Sequence, residues 1–434
     1  MTLQMNRMNA DWVGLRHAVD RVLETVTGLD SEEIPLRESR GRILAEDIRS
    51  PIDLPPWTNS AMDGFACRSV DVRNASLDAP VELRLVDDIP AGGFPKVALG
   101  EGTAARIMTG APVPRGADSV IRVEHTDGGV GIGTNGGRVK IVSESDAGRN
   151  LRIRGEEIRE GGVALRAGQS MVPAAIGLAA AVGCTSLPVV RRPIVALLTS
   201  GDELVEVEDF SQVLEGKRIV SSNSYTLAAR LEEIGCRVKY LGIASDRPES
   251  LRDLLRGAAG CDALVTSAGI SVGEHDHIRS AVLDLEGDVR FWRVRIRPGS
   301  PFAFGTIAAL GGMPWFGLPG NPVSSLITFE LFARPALLTM GGQKRIFPVP
   351  IRARLVEDYI APAGLTQLPR VRLSMDRKGE WEARLTGSQG SGILSSLVTA
   401  DGLLLVPEDR AGATAGTQMV VLPFVGPLTE TSPF

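Results

Sequence analysis

Apolar positions change their period along the chain, and the changes mark its organisation. Val13, Leu15, Val19, Val22, Leu23 and Val26 recur at helical spacing, and Gly28 closes the run, so a helix is predicted over 11–27. From about 51 to 149 the texture becomes short β-rich runs, such as VELRLV (81–86) and SVIRVE (119–124), separated by Gly, Pro and Asp. Helix-like and turn-like pieces return over 150–190, which predicts a β domain (51–149) inserted into a first domain made of 11–50 and 150–192.

A regular alternation starts at Pro193. PIVALLT (193–199), RVKYLGI (237–243) and DALVT (262–266) read as buried strands. SNSYTLAARLEEIG (222–235), PESLRDLLRGAA (248–259) and GEHDHIRSAVLDL (273–285) read as helices, with Ser222 a candidate N-cap and Gly235 a stop. Such alternation predicts an α/β domain over 193–342 with a mostly parallel sheet, which binds ligands at the carboxyl ends of its strands. Beyond 343, VRLSM, WEARLTG, GLLLVP and QMVVLPF predict a separate C-terminal β domain (343–434). The expected fold class is thus multidomain, α/β plus β.

Composition narrows the function. A chain of 434 residues suggests about two to four domains. The net charge is −5 and no basic block stands out, which argues against nucleic-acid binding. Cys67, Cys184, Cys236 and Cys261 form no C-x-x-C pair and read as buried thiols in a reducing compartment. The first residues lack the apolar core of a signal peptide, and MVPAAIGLAAAVG (171–183) is too short to span a bilayer. A soluble cytoplasmic protein is expected.

Six stretches could carry chemistry. TSAGISVGEHDH (266–277) leaves a strand end and enters a helix, and its small residues let backbone N–H groups approach an anion. It reads as a phosphate cradle, a metal site or only a capped turn. Zinc on His275 and His277 lacks a third ligand at useful spacing, whereas Glu274 and Asp276 are hard oxygen donors suited to Mg²⁺ beside a phosphate. LLTSGDEL (197–204) repeats the pattern, with Asp202 and Glu203 after small residues. In RFWRVRIRPGSPFAFG (290–305), strand alternation would put Arg293, Arg295 and Arg297 on one face, either solvated or facing an anion. PWFGLPGNPVSSLITFELF (314–332) reads as a strand, a P-G-N-P turn and a helix. PPWTNSAMDGFA (55–66) and IMTGAPVPRGAD (107–118) read as loops presenting Asp63 and Thr109.

Taken in order, NSAMDGFA, IMTGAPVPRGADSVI, GRNLRIRGEEI, TSGDEL, SNSYTLA, SAGISVGEHD, RIRPGSPFAFG and GLPGNPVSS resemble the MoeA-type molybdopterin molybdenumtransferases, to which the gephyrin E domain belongs. The resemblance covers nearly the whole chain. It implies an elongated N-terminal domain, an inserted β domain, an α/β molybdopterin-binding domain and a β-barrel-like C-terminal domain. It also implies a homodimer whose active cleft lies between the α/β domain of one subunit and the inserted domain of the other. The implied substrates are adenylylated molybdopterin and molybdate. AMP leaves, molybdenum passes to the pterin dithiolene, and Mg²⁺ assists.

By the same resemblance, Asp276 and Glu203 match metal-holding acids, and with Asp63 they form the expected catalytic set. Thr109 and Asp246 match cleft positions. Substrate binding is expected at Ser200, Gly201, Ser267, Gly269, Ser271, Gly273, Arg293, Arg297, Gly320, Asn321 and Pro322. Molybdate is expected at Arg297, Ser300, Pro301, Arg370 and Ser391. The chain departs from the pattern where K-P-G-K-P reads Arg297-Pro298-Gly299-Ser300-Pro301, which exchanges one lysine for arginine and loses the other's charge at Ser300. S-G-G reads Ser267-Ala268-Gly269, and G-E-D reads Gly155-Glu156-Glu157. A pterin-binding scaffold without metal insertion is the alternative these changes raise. An unrelated phosphatase or nucleotide hydrolase is a third reading, for which the chain offers no Walker motif.

Overall fold

The computed structural model describes residues 12–131, 136–268 and 277–434. The α/β domain contains β1 (Ile194–Ser200), α1 (Ser222–Glu233), β2 (Arg237–Ala244), α2 (Pro248–Arg256), β3 (Ala263–Ser267), α3 (His277–Asp284), β4 (Gly287–Phe291), β5 (Ala303–Ile307), β6 (Met313–Leu318) and α4 (Pro322–Thr328). The sheet order is β2-β1-β3-β6-β5-β4. The β2-β1-β3-β6 pairings are parallel, and β5 and β4 add antiparallel strands at one edge.

Strand pleating sorts the core into two layers. Val195, Leu197, Val265, Phe316 and Leu318 face α1 and α4, while Ala196, Leu198, Leu264 and Trp315 face α2 and α3. Because both faces are covered, these strands read as continuous apolar runs. β1 leads to one face and β2 recrosses it on the other, so the sheet has a switch point where β1 and β3 end side by side.

α4 continues through a π turn at Phe329–Ala333 into Arg334–Met340. The whole helix, Pro322–Met340, is apolar and long enough to cross a membrane, yet 78% of its apolar stretch is buried within the protein. It is a core helix. Its one buried acid, Glu330, is pushed towards neutrality by burial, and the guanidiniums of Arg230 (2.7 Å) and Arg334 (3.6 Å) oppose that shift.

Elsewhere the pairings join distant segments. Ser31–Pro35 pairs antiparallel with Ser186–Val190, which closes the N-terminal module around the inserted five-stranded sheet. That sheet runs Ser119–Arg122, Gly64–Cys67, Thr103–Ile107, Val81–Ile89, Arg138–Ile141. The C-terminal region forms a closed barrel of Ile351–Leu355, Trp381–Leu385, Arg370–Met375, Gly402–Leu405 and Gln418–Pro423, as the barrel-like expectation required.

Local differences from the sequence reading have physical causes. The first helix, Leu15–Leu23, packs Leu15, Ala18, Val19 and Val22 into the α/β core rather than into the N-terminal module. Ser222 lies inside α1, and the preceding Ser221 takes the N-cap position, its hydroxyl bonding Thr199 Oγ1 at 3.2 Å. Cys67 and Cys236 are buried, with thiols pushed up to about 12 by desolvation, whereas Cys184 and Cys261 are half-buried.

Candidate active site

Three loops leave the strand ends at the switch point and enclose a cleft of ≈ 450 Å³. Ser267 and Ala268 follow β3, Pro319-Gly320-Asn321-Pro322 follows β6, and Glu203 and Leu204 follow β1; all line it. Asn223, in the first turn of α1, holds two of these loops together. Its Nδ2 donates to Ser267 Oγ and to the Gly320 carbonyl, both at 2.8 Å. Close approach is needed here, since a Cβ on Gly320 would come within 3.2 Å of the Ala268 Cβ. Ala268 itself sits at φ 74°, a left-handed conformation that favours glycine.

Behind Glu203, backbone and carboxylates interlock. Asp202 and Asp246 exchange backbone-to-carboxylate bonds at 3.4 and 3.2 Å, and the Ser200 hydroxyl donates to Asp246 at 3.4 Å. Gly201 has φ 149°, and a Cβ there would meet Glu203 Oε2 at 2.5 Å, so glycine lets the Glu203 carboxylate fold back. Ser200, Gly201 and Asp246 therefore shape the Glu203 loop without lining the cleft.

A second cavity of ≈ 790 Å³ lies between the α/β domain and the barrel, and shares Pro301, Pro319 and Asn321 with the first. It gathers the five residues expected at molybdate: Arg297, Ser300, Pro301, Arg370 and Ser391. Their states differ. Arg370 is fully buried, and burial holds its pKa below the usual arginine value. It donates to Ser396 Oγ (2.8 Å) and to the carbonyls of Gln389 (3.3 Å), Ser388 and Gly390 (both 3.1 Å). It thus clamps the loop that carries Ser391, whose carbonyl accepts the Val323 N–H at 3.1 Å. The Ser300 hydroxyl is turned back onto the Ile296 carbonyl at 2.5 Å. Arg297 is exposed to the cavity, and no partner holds its guanidinium among the described residues. Gly299 permits this turn, at φ 103° and with a Cβ position 2.6 Å from Thr328 Cγ2.

The arginine row is not one face. Only Ile296–Arg297 is strand, paired with Thr366–Gln367. Arg293 stacks over Trp12 at 5.7 Å, and Arg295 pairs with Glu408 at 3.1 Å, so Arg293 lines neither cavity. The inserted domain is separate again. Thr109 donates through both its backbone N–H and its hydroxyl to Asp63 Oδ1, each at 2.7 Å, and these bonds hold the Asp63 carboxyl below its ordinary value. Neither residue lines either cavity. Gly269, Ser271, Gly273, Glu274, His275 and Asp276 lie outside the described residues. Among the described residues no group of three or more His, Cys, Asp or Glu is gathered to hold a metal ion. Glu203, whose carboxylate no described donor engages, is chemically suited to a hard cation.

Asn223 and Tyr359 are among the lining residues that the sequence did not mark. Asn223 stood inside a quoted motif but read only as helix start. Its place one turn after a strand-end loop was the available signal. Tyr359 lies in the barrel domain, and nothing local in DYIAPAG announces a cavity.

An α/β domain with a switch-point cleft, flanked by an inserted β module and a terminal barrel, defines a class. Three family models match it in order: the MoeA N-terminal region (domain I and II) at 13–183, a probable molybdopterin binding domain at 196–339, and the MoeA C-terminal region (domain IV) at 352–424. The chain belongs to the MoeA family. It is 38% identical over 401 residues to molybdopterin molybdenumtransferase 2 of Mycobacterium tuberculosis (strain ATCC 25618 / H37Rv), covering 89% of this chain and 94% of that one. To the molybdopterin molybdenumtransferase of Nostoc sp. it is 33% identical over 415 residues, covering 94% and 93%. The crystal structure of the molybdopterin biosynthesis moeA protein from Pyrococcus horikoshii OT3 superposes with a TM-score of 0.80 at 29% identity, covering 95% of this chain and all of that one.

Proposed function

We propose that the protein is a molybdopterin molybdenumtransferase of molybdenum cofactor biosynthesis, taking adenylylated molybdopterin and molybdate, releasing AMP and leaving molybdenum on the pterin dithiolene. The observation that carries this reading is the junction of the two cavities at Pro301, Pro319 and Asn321. A small-residue cleft opens there onto a cavity whose Arg297 guanidinium no partner engages among the described residues.

The N-terminus of the long helix starting at Pro322 lies at that junction, and its positive end favours phosphate or oxyanion charge. Arg297 and Ser391 supply a cation and a hydroxyl for the oxyanion, and Arg370 positions the Ser391 loop. Mg²⁺, held by Glu203 and Asp276, would neutralise phosphate charge as the phosphoanhydride breaks. Asp63 and Thr109 bind no part of these cavities within one chain, which supports a homodimer in which the partner's inserted domain closes the cleft. A cytoplasmic setting completes the reading.

The test supplies adenylylated molybdopterin, Mg²⁺ and molybdate, and follows AMP and molybdenum-loaded pterin. Both products are expected in molybdate-dependent amounts. Folded protein that binds the pterin without releasing AMP would establish the scaffold reading instead.

A further inference from the structure

The cavity beside the barrel is larger than a tetrahedral oxyanion needs. Its ≈ 790 Å³ falls within the range of small-molecule sites, about 300–1,000 Å³. Its lining has two characters. Arg297, Ser300 and Ser391 are polar, whereas the barrel segment 359–365 contributes Tyr359, Ile360 and Leu365, which are not. Ile360 is 87% exposed, an apolar side chain left at the rim for a ligand to cover.

Tyr359 is held in place. Its hydroxyl donates to Gln367 Oε1 at 3.3 Å, and Gln367 Nε2 donates to the Pro362 carbonyl at 3.2 Å. Gln367 is fully buried and is the register partner of Arg297, so the phenol is anchored beside the open guanidinium. Tyr359 is partly buried against the barrel core and also lines the cavity. With the hydroxyl engaged, the ring is what Tyr359 offers the cavity. Burial, outweighing the guanidiniums of Arg297 and Arg370, raises its pKa.

We propose that Tyr359, with Ile360 and Leu365, is the wall against which the flat pterin ring of the substrate packs. The dithiolene then lies next to the oxyanion at Arg297, and the phosphates occupy the strand-end cleft. This placement rests on the transferase reading. An aromatic face suits a planar heterocycle, and a fixed ring loses little freedom when the ligand arrives.

The test measures KM for adenylylated molybdopterin and for molybdate separately, with equilibrium dialysis of the pterin substrate, in the full-length protein. Tyr359→Leu keeps apolar bulk without a flat ring, and Tyr359→Phe keeps the ring without the hydroxyl. Tyr359→Leu is expected to weaken pterin binding roughly tenfold with molybdate KM unchanged, and Tyr359→Phe to restore affinity to within about twofold. The wall is overturned if Tyr359→Leu binds the pterin normally, or if Tyr359→Phe is as impaired as Tyr359→Leu. A loss confined to molybdate KM also overturns it, since the hydroxyl would then be an oxyanion ligand. Failure of the transferase reading shows separately, as absence of AMP release from the unsubstituted protein while dialysis still reports on the wall.

Discussion

The cavity between the α/β domain and the barrel, and the Asp63–Thr109 loop pair of the inserted domain, use polar groups in opposite ways. Arg297 stands exposed in a large cavity, engaged by no partner among the described residues. Asp63 is already satisfied by two 2.7 Å bonds from Thr109 and borders neither cavity. The first arrangement leaves a cation open to a ligand. The second presents a fixed carboxylate on the surface of a separate module, which fits the proposed cleft between subunits.

Arg297→Ala tests the contrast most severely. It is expected to raise the KM for molybdate roughly 30-fold, the loss of one charge-assisted contact, with little change in KM for adenylylated molybdopterin. Equal loss for both substrates would dissolve the distinction between cleft and cavity.

Asp146 asks whether the inserted module is an independent rigid platform. Burial disfavours its charge, but Arg122, His125 and Asn150 outweigh that and hold its pKa at about 2. Because the folded value is depressed, the stabilisation is present above about pH 4 and is lost as pH falls towards 2. Asp146→Asn is expected to destabilise the module by about 2 kcal/mol at neutral pH and to flatten its acid transition, read by circular dichroism across pH. An unchanged acid profile would show that the cluster does not hold the module.

Asn223→Ala removes both bonds tying the loops after β3 and β6. A roughly tenfold fall in kcat/KM for the pterin substrate is expected, with molybdate KM preserved. Ala268→Gly, the smallest change, relieves a left-handed alanine at φ 74° and should stabilise the protein by about 0.5–1 kcal/mol in thermal unfolding. A loss of stability there would mean that the alanine methyl fills a needed gap against Gly320.

Much of this was legible in the chain. The βα alternation after Pro193 specified the parallel sheet because buried strands and amphipathic helices have different periods. The small-residue loops at Thr199–Gly201 and Ser267–Ala268 lay where strand ends meet. What stayed hidden depended on distant partners. Arg293 and Arg370 look like anion ligands until Trp12 and the carbonyls of 388–390 are brought against them. Ser300 looks like a free hydroxyl until its turn directs it to Ile296. Tyr359 gains meaning only when the barrel closes beside RPGSP. The pattern of the first helix was clear, but its burial in the α/β core required a fold-back that no local period encodes.

In the proposed homodimer the two regions complete each other across subunits. Mixing Asp63→Asn and Arg297→Ala chains by unfolding and refolding tests it directly. If the cleft of one chain works with the inserted domain of the other, mixed dimers hold one intact site, and AMP release should recover to roughly a quarter of the unsubstituted rate. Mixed dimers that form but regain nothing would place Asp63 and Arg297 in the same chain's site and contradict the account.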